Sequence, residues 1–261
     1  MRKHFCDLGP TAWKLAVWRR KTQRDLADLL RGVRFARTVA PPLPANVYTH
    51  ASLIRRRLGN VDMRLQENKA VNLALAAPHL DGVLIRPGET FSFWRLVGDC
   101  TEKKGYREGL FIRDGETSSG IGGGMCQMTN LLHWMALHSD LTIAEHHHHD
   151  QIDLFPDYGR QIPFGTGTSI AFNYLDYRLY NGTERTYQMK VWVDGEYLRG
   201  ELRADSEQAV RYHVHVEEER FVAEPGGAFR CGTVVRTAVD RRTGDTLRRE
   251  VLRENHARVL Y

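Results

Sequence analysis

GIGGGMCQMTNLLHW, residues 120–134, sets three glycines directly before a methionine, a cysteine and an apolar, helix-spaced run. Glycines at 122, 123 and 124 permit positive φ and close backbone approach, and the run after them predicts a helix over Met125–His138. Met128, Leu132 and Met135 form its apolar side, while Asn130 and His133 fall within about 40° of Cys126 on the helix wheel. Upstream, GVLIRPGETFSFW and GYREGLFIRDGE read as short strands between tight turns. Downstream, LTIAEHHHHDQIDLF, TSIAFNYLDYRLYN, TYQMKVWVDGEYLRGELR, AVRYHVHVEEERFV and FRCGTVVRTAVDRRTGDTLRREV read as strands, with hairpins at VDGEY and RRTGDT. The expected class is α+β, mostly antiparallel strands packed around one central helix that begins at the GGGxC loop.

Two further helices are expected on the N-terminal side. Residues 11–38 space Trp13, Ala16, Val17, Leu26, Leu29, Leu30 and Val33 helically until APPLPAN interrupts. Residues 52–76 carry a second helical pattern, stopped by Pro78. The expected division is a basic helical arm and Pro-rich linker over 1–45, a central domain over 46–205, and a β-rich extension over 206–261.

Composition narrows the function. The chain has 261 residues, 42% of them hydrophobic, enough for one substantial core. No apolar window of about 18 residues predicts a membrane span, and no apolar h-region of a secretory signal is read near the start. Four widely spaced cysteines without a CxxC pair suit neither a disulfide scaffold nor a thiolate zinc site. The expectation is free thiols in the cytoplasm. Net charge is +5, yet residues 1–60 hold thirteen Lys and Arg against three acids. The excess is therefore N-terminal, which suits a solvated helix or peripheral contact with an anionic membrane. No nucleic-acid module accompanies it, so no nucleic-acid partner is expected.

The chemistry concentrates in two places. Cys126 falls in a first helical turn, where unpaired N–H groups and the positive end of the dipole favour an anion. That placement predicts a lowered thiol pKa and a nucleophile, with Gln127 or the N–H groups of 124–127, reached past Gly123 and Gly124, as oxyanion donors. Asn130 and His133 share its stripe and are candidate substrate contacts. The alternative is a small buried cysteine beside a satisfied core histidine. The second place is AEHHHHDQIDLFPDYGR. Strand alternation sends Glu145, His147 and His149 to one face, which offers either a general base with an orienting carboxylate or three ligands for zinc. Asp153 and Asp157 are further carboxylates, although Asp157 also fits a turn.

GGGMCQMTNLLHW, EHHHH, FPDYGRQIPFGTGTSIAFNY and NLALAAPHLDGVLIRPGETFSFWRLVGDCTEKKGYREG together resemble the VanW family, from about Asn68 to about Gly200. The resemblance implies a link to glycopeptide (vancomycin) resistance and a cysteine-dependent, L,D-transpeptidase-like acyl transfer on peptidoglycan peptides. It makes Cys126 the nucleophile and His149 or His147 its base, with no metal and no cofactor. The sequence departs from the family pattern at His146, where an arginine is common, and at Gly167–Ile170, where Asp-Ala-Thr-Val is common. A third catalytic group then falls to Glu145, Asp157 or the backbone. The alternative function is a non-catalytic accessory or binding protein of the same system.

Overall fold

The computed structural model describes residues 9–56, 62–113, 116–148, 152–153, 161–172 and 174–261. In chain order the elements are α1 (Pro10–Leu30), β1 (Arg34–Phe35), β2 (Ala45–Leu53), α2 (Met63–Ala76), β3 (Val83–Ile85), β4 (Glu89–Ser92), α3 (Phe93–Val97), β5 (Glu108–Arg113) and β6 (Glu116–Ile121). Then come α4 (Met125–Leu137), β7 (Thr142–Glu145), β8 (Ile152–Asp153), β9 (Arg178–Tyr180), β10 (Tyr187–Asp194), β11 (Tyr197–Ala204), β12 (Val210–Glu224), β13 (Gly227–Asp240) and β14 (Thr246–Val259). The class is α+β, as expected.

Three four-stranded sheets run β1-β4-β9-β7, β2-β11-β10-β3 and β12-β13-β14-β8, and β5 pairs with β6 as a separate hairpin. Pairing is antiparallel except at β1–β4 and β14–β8. The hairpins at VDGEY and RRTGDT form, the first as a tight turn that pairs Asp194 with Tyr197 and the second closed by Asp240 N–H to Asp245 O at 2.9 Å. Helix α4 lies on β2 and β11. Gly200 permits this: a Cβ there would stand 2.8 Å from Met135 Cε and 3.0 Å from Leu131 Cδ2. Met128, Leu131, Leu132 and Met135 of α4 are fully buried among Leu73, Leu80, Ile85, Phe91, Leu198 and Leu202. Each such side chain contributes roughly 1.5–3 kcal/mol by leaving water.

Three segments differ from the sequence reading. Residues 45–53 form strand β2 rather than linker and helix start, because Val47, Tyr48 and Thr49 favour a pleat and β11 offers a partner along that length. The helix waits for Asp62, whose carboxylate accepts from Arg64 N–H at 2.8 Å and caps α2. Among the described residues of TSIAFNYLDYRLYN only Arg178–Tyr180 is strand; Ala171 N–H closes a loop onto Leu175 O. The strand expected through EHHHH ends at Glu145, although Ser169 N–H to His147 O at 2.7 Å continues the pairing by one bond.

The N-terminal helix is fastened to the body. Asp28 accepts two bonds from buried Arg178, at 2.8 and 3.0 Å, and one from Arg95 at 3.1 Å. Among the described residues, no helix is long and apolar enough to cross a membrane.

Candidate active site

Each glycine of the loop has its own tenant. A Cβ on Gly122 would meet Cys100 Cβ at 2.5 Å, one on Gly123 would meet the Gly109 carbonyl carbon at 2.1 Å, and one on Gly124 would meet Lys69 Cγ at 2.2 Å. Gly124 is also the N-cap of α4 with φ 93°, a conformation costly for other residues. The run exists because β5 and α2 press against the backbone just before the cysteine. Asn72 completes the seat, donating to Gly123 O and Arg107 O at 2.9 Å.

Cys126 then faces a cavity of about 110 Å³ bounded by Trp94, Cys100, Phe111, Ile170 and Phe172. Burial raises its thiol pKa, and the Ile170 N–H and its own N–H, both directed at the sulfur, lower it by less. The direction is opposite to that expected from helix-start position alone. The positive end of the α4 dipole does not repay the removal of water. Of the loop N–H groups, Gly124 bonds Leu110 O at 3.0 Å and Gln127 bonds Gly124 O at 3.1 Å. That of Met125 has no backbone acceptor among the described residues, while that of Cys126 is directed at its own sulfur.

Segment 166–170 is clamped across the start of α4. Asn130 Oδ1 accepts from Thr168 N–H at 2.7 Å and Thr168 Oγ1 at 2.8 Å, and Thr129 Oγ1 meets Thr168 Oγ1 at 2.5 Å. Asn130 therefore fastens the lid of the cavity instead of presenting its amide to it. Gln127 is also turned away: its Nε2 donates to Ser52 Oγ and Leu53 O, both at 2.9 Å. His133 is buried, its ring 3.9 Å from that of His146 and its Nδ1 3.3 Å from Tyr177 Oη. Burial, then His146 and His148, depress its pKa well below the usual imidazole value, so it stays neutral. These three expected contact residues act as structure around the thiol.

Glu145 and His147 do meet, with His147 Nε2 3.0 Å from Glu145 Oε1. The carboxylate also takes Asp176 N–H at 2.9 Å and pairs with Arg24 and Arg178. Burial pushes its pKa up, but the bonds from Asp176, His147 and Arg24 outweigh that, and the net shift is down. Glu145 is thus a fixed anion that orients one imidazole. His147 and Cys126 flank one segment: His147 O bonds Ser169 N–H, while the neighbouring Thr168 and Ile170 touch Cys126. His149 and Asp157, named from the sequence, lie outside the described residues. Among the described residues, no group of three or more His, Cys, Asp or Glu is placed to hold a metal ion.

Lys69 escaped the sequence reading. It is 8% exposed, and its pKa falls to about 7, first through burial and then through Arg56 and Arg55. The signal was available: Lys69 shares the i, i+4 face of Leu65 and Leu73, where an apolar residue belongs.

Comparison with known proteins adds independent ground. The family model described as "VanW like protein" matches residues 68–203. The chain is 36% identical over 249 residues to the "Vancomycin B-type resistance protein VanW" of Enterococcus faecalis, covering 93% of this chain and 90% of that protein. It is 30% identical over 115 residues to the "Uncharacterized protein YoaR" of Bacillus subtilis, covering 44% of this chain and 36% of that protein. No solved structure matches significantly.

Proposed function

The chain belongs to the VanW family, and from that premise we propose that it is a cysteine acyltransferase acting on cell-wall peptides in the service of vancomycin resistance. One arrangement supports the reading above others: a thiol in the first turn of α4 lines a small cavity, beside a segment that also holds a glutamate-oriented histidine. In the reaction, Cys126 Sγ attacks a peptide carbonyl and its proton passes to His147. The tetrahedral oxyanion is held by the N–H group of Met125, the amine leaves with the proton, and a thioester remains. An incoming amine or water then releases the acyl group. A thiol with a raised pKa is protonated at neutral pH, so attack needs this base. The cavity of about 110 Å³ has room for one small side chain, which suits a D-alanine-sized residue at the acyl donor.

The same raised pKa favours a second reading, a non-catalytic binding protein in which Cys126 is merely a buried thiol. Incubation with a wall-type tetrapeptide, followed by peptide mass spectrometry, separates the two. The enzyme is expected to carry an acyl adduct on Cys126 that hydroxylamine removes, and Cys126→Ser is expected to lose turnover while keeping its fold. Absence of both the adduct and any turnover, with tetrapeptide binding unchanged in Cys126→Ala, would establish the binding protein.

A further inference from the structure

Lys69 poses a physical problem that the proposed chemistry leaves unsolved. Its side chain is more than nine-tenths buried, and no acceptor or counterion meets it among the described residues. Its stem crosses Gly124, the N-cap of α4, and the nearby charges that act on it are Arg55 and Arg56. Glu67 is already engaged by Arg55, at 2.8 Å to both carboxylate oxygens. A cation buried beside two others is costly, and the cost is recovered when an anion arrives. Two residues along the helix from Gly124 is Cys126, and the unused N–H group of Met125 adds to the positive end.

We infer that Lys69 receives the free carboxylate of the peptide substrate, setting which carbonyl lies against Cys126. This rests on the acyl-transfer reading for the identity of the ligand, but binding can be measured without turnover. In calorimetry on the Cys126→Ala protein, a wall-type tetrapeptide with a free C-terminal carboxylate is expected to bind at least tenfold tighter than its C-terminal amide. The preference should weaken from pH 6 to pH 8.5 as the amine loses its proton. Lys69→Met should erase the preference, and Lys69→Arg should keep it while removing its pH dependence. Inorganic phosphate as competitor separates a phosphate site from a carboxylate site: displacement of the peptide acid only at far higher concentration supports the carboxylate. Equal binding of acid and amide, or a preference that survives in Lys69→Met, would overturn the inference. A missing thioester on Cys126 with the preference intact would overturn the acyl transfer alone.

A different observation carries a second inference. On α1, Leu15, Trp18, Leu26, Leu29 and Leu30 are 52%, 62%, 53%, 75% and 79% exposed. They fall within an arc of about 120° on the helix wheel. Arg24 and Asp28, on the other side, and Asp25, at the edge beside Trp18, are spent on Glu145, Arg178 and Arg95. Exposed Arg19 lies within that arc, Lys14 about 40° beyond one edge and Arg20 about 80° beyond the other, and none of the three has an ion-pair partner among the described residues. A leucine and tryptophan stripe bordered by unspent cations fits the headgroup boundary of a bilayer rich in anionic lipid. The geometry points to α1 as a membrane-surface anchor that holds the catalytic body against the leaflet.

Co-sedimentation with vesicles of phosphatidylglycerol and phosphatidylcholine is expected to capture the protein, and pure phosphatidylcholine to capture at least tenfold less. Trp18→Glu with Leu29→Glu should abolish capture, and Arg19→Glu with Arg20→Glu should remove the lipid-charge preference. Capture unaffected by either pair would overturn the inference. So would a dimer in analytical ultracentrifugation that disappears in the Trp18→Glu, Leu29→Glu protein, because the stripe would then be an interface between copies.

Discussion

The two ends of α4 each open onto a cavity, and the larger one is at the end without the thiol. At the C-terminal end a cleft of about 630 Å³ is bounded by Tyr48, Trp134, His138, Tyr212, His213 and Arg241. Its deepest polar groups are spent. Trp134 Nε1 donates to Tyr48 Oη at 3.1 Å, His138 Nδ1 bonds Trp134 O at 2.8 Å, and Gln208 engages Asp140 N–H, Tyr187 and His138 O. At the N-terminal end the cavity is about six times smaller, yet the Met125 N–H on its lining has no backbone acceptor among the described residues, the thiol carries no side-chain hydrogen bond, and nearby Lys69 has no counterion. The proposed site is placed by unspent groups rather than by volume, since a satisfied polar group has nothing left to give a substrate.

The contrast breaks hardest at the glycines. Gly123→Ala would drive a methyl to 2.1 Å from the Gly109 backbone, which cannot swing aside as a flexible side chain could. A loss of about 4 kcal/mol or more is expected in urea unfolding, with turnover lost as the loop is displaced. At the opposite end, Trp134→Phe removes one hydrogen bond and should cost about 1–2 kcal/mol without touching turnover. Equal damage to turnover from both would erase the distinction between the ends.

Next in size is the histidine pair. His147→Gln is expected to lower kcat about a thousandfold, and Glu145→Gln about a hundredfold, with the acid limb of the pH–rate profile displaced in Glu145→Gln. His133→Gln, on the buried face of the same histidine cluster, should reduce stability more than kcat. If His133→Gln instead stops turnover in a folded protein, the base lies on the other face.

The sequence made part of this legible and physical context decided the rest. The GGGxC loop, α4 and the two hairpins follow from local rules: glycine freedom, helical spacing and tight-turn residues. The Glu145–His147 contact follows from alternation, which persists beyond the last paired strand residue. What could not be read is where side chains spend their hydrogen bonds. Gln127 and Asn130 looked like site residues because they flank Cys126, but Ser52, Leu53 and Thr168 claim them from distant segments. The sign of the Cys126 shift was missed for the same reason: position on a helix is local, whereas desolvation depends on Trp94, Phe111 and Phe172 closing over it. Strand β2 was hidden because its partner β11 lies about 150 residues downstream.

At the C-terminal end, His138 gives a pH test of comparable sharpness. Burial leads its pKa down to about 4, with Arg236, His213 and His50 adding to the fall and the bond to Trp134 O opposing it. The unfolded chain takes up this proton near pH 6.5, while the folded chain resists until about 4. The contribution is therefore complete above pH 6.5 and is lost as pH falls toward 4, on the order of 2–3 kcal/mol. His138→Phe should flatten that part of the stability curve in urea titrations between pH 7 and pH 4, where stacking on Tyr48 at 3.8 Å can be kept. An unchanged acid limb would mean that His138 protonates in the folded state.

The smallest expected effect falls on Gln127, and it tests the reading of the N-terminal end most finely. Replacing it with leucine removes two donors at 2.9 Å from Ser52 Oγ and Leu53 O, so stability should fall by about 1–2 kcal/mol. Because that amide is committed to β2, kcat should change less than about threefold if the proposed oxyanion rests on the N–H group of Met125. A loss of kcat near a hundredfold at unchanged stability would mean that Gln127 turns from β2 to the oxyanion when substrate binds. The N-terminal end would then keep part of its catalytic equipment folded into the scaffold until it is needed.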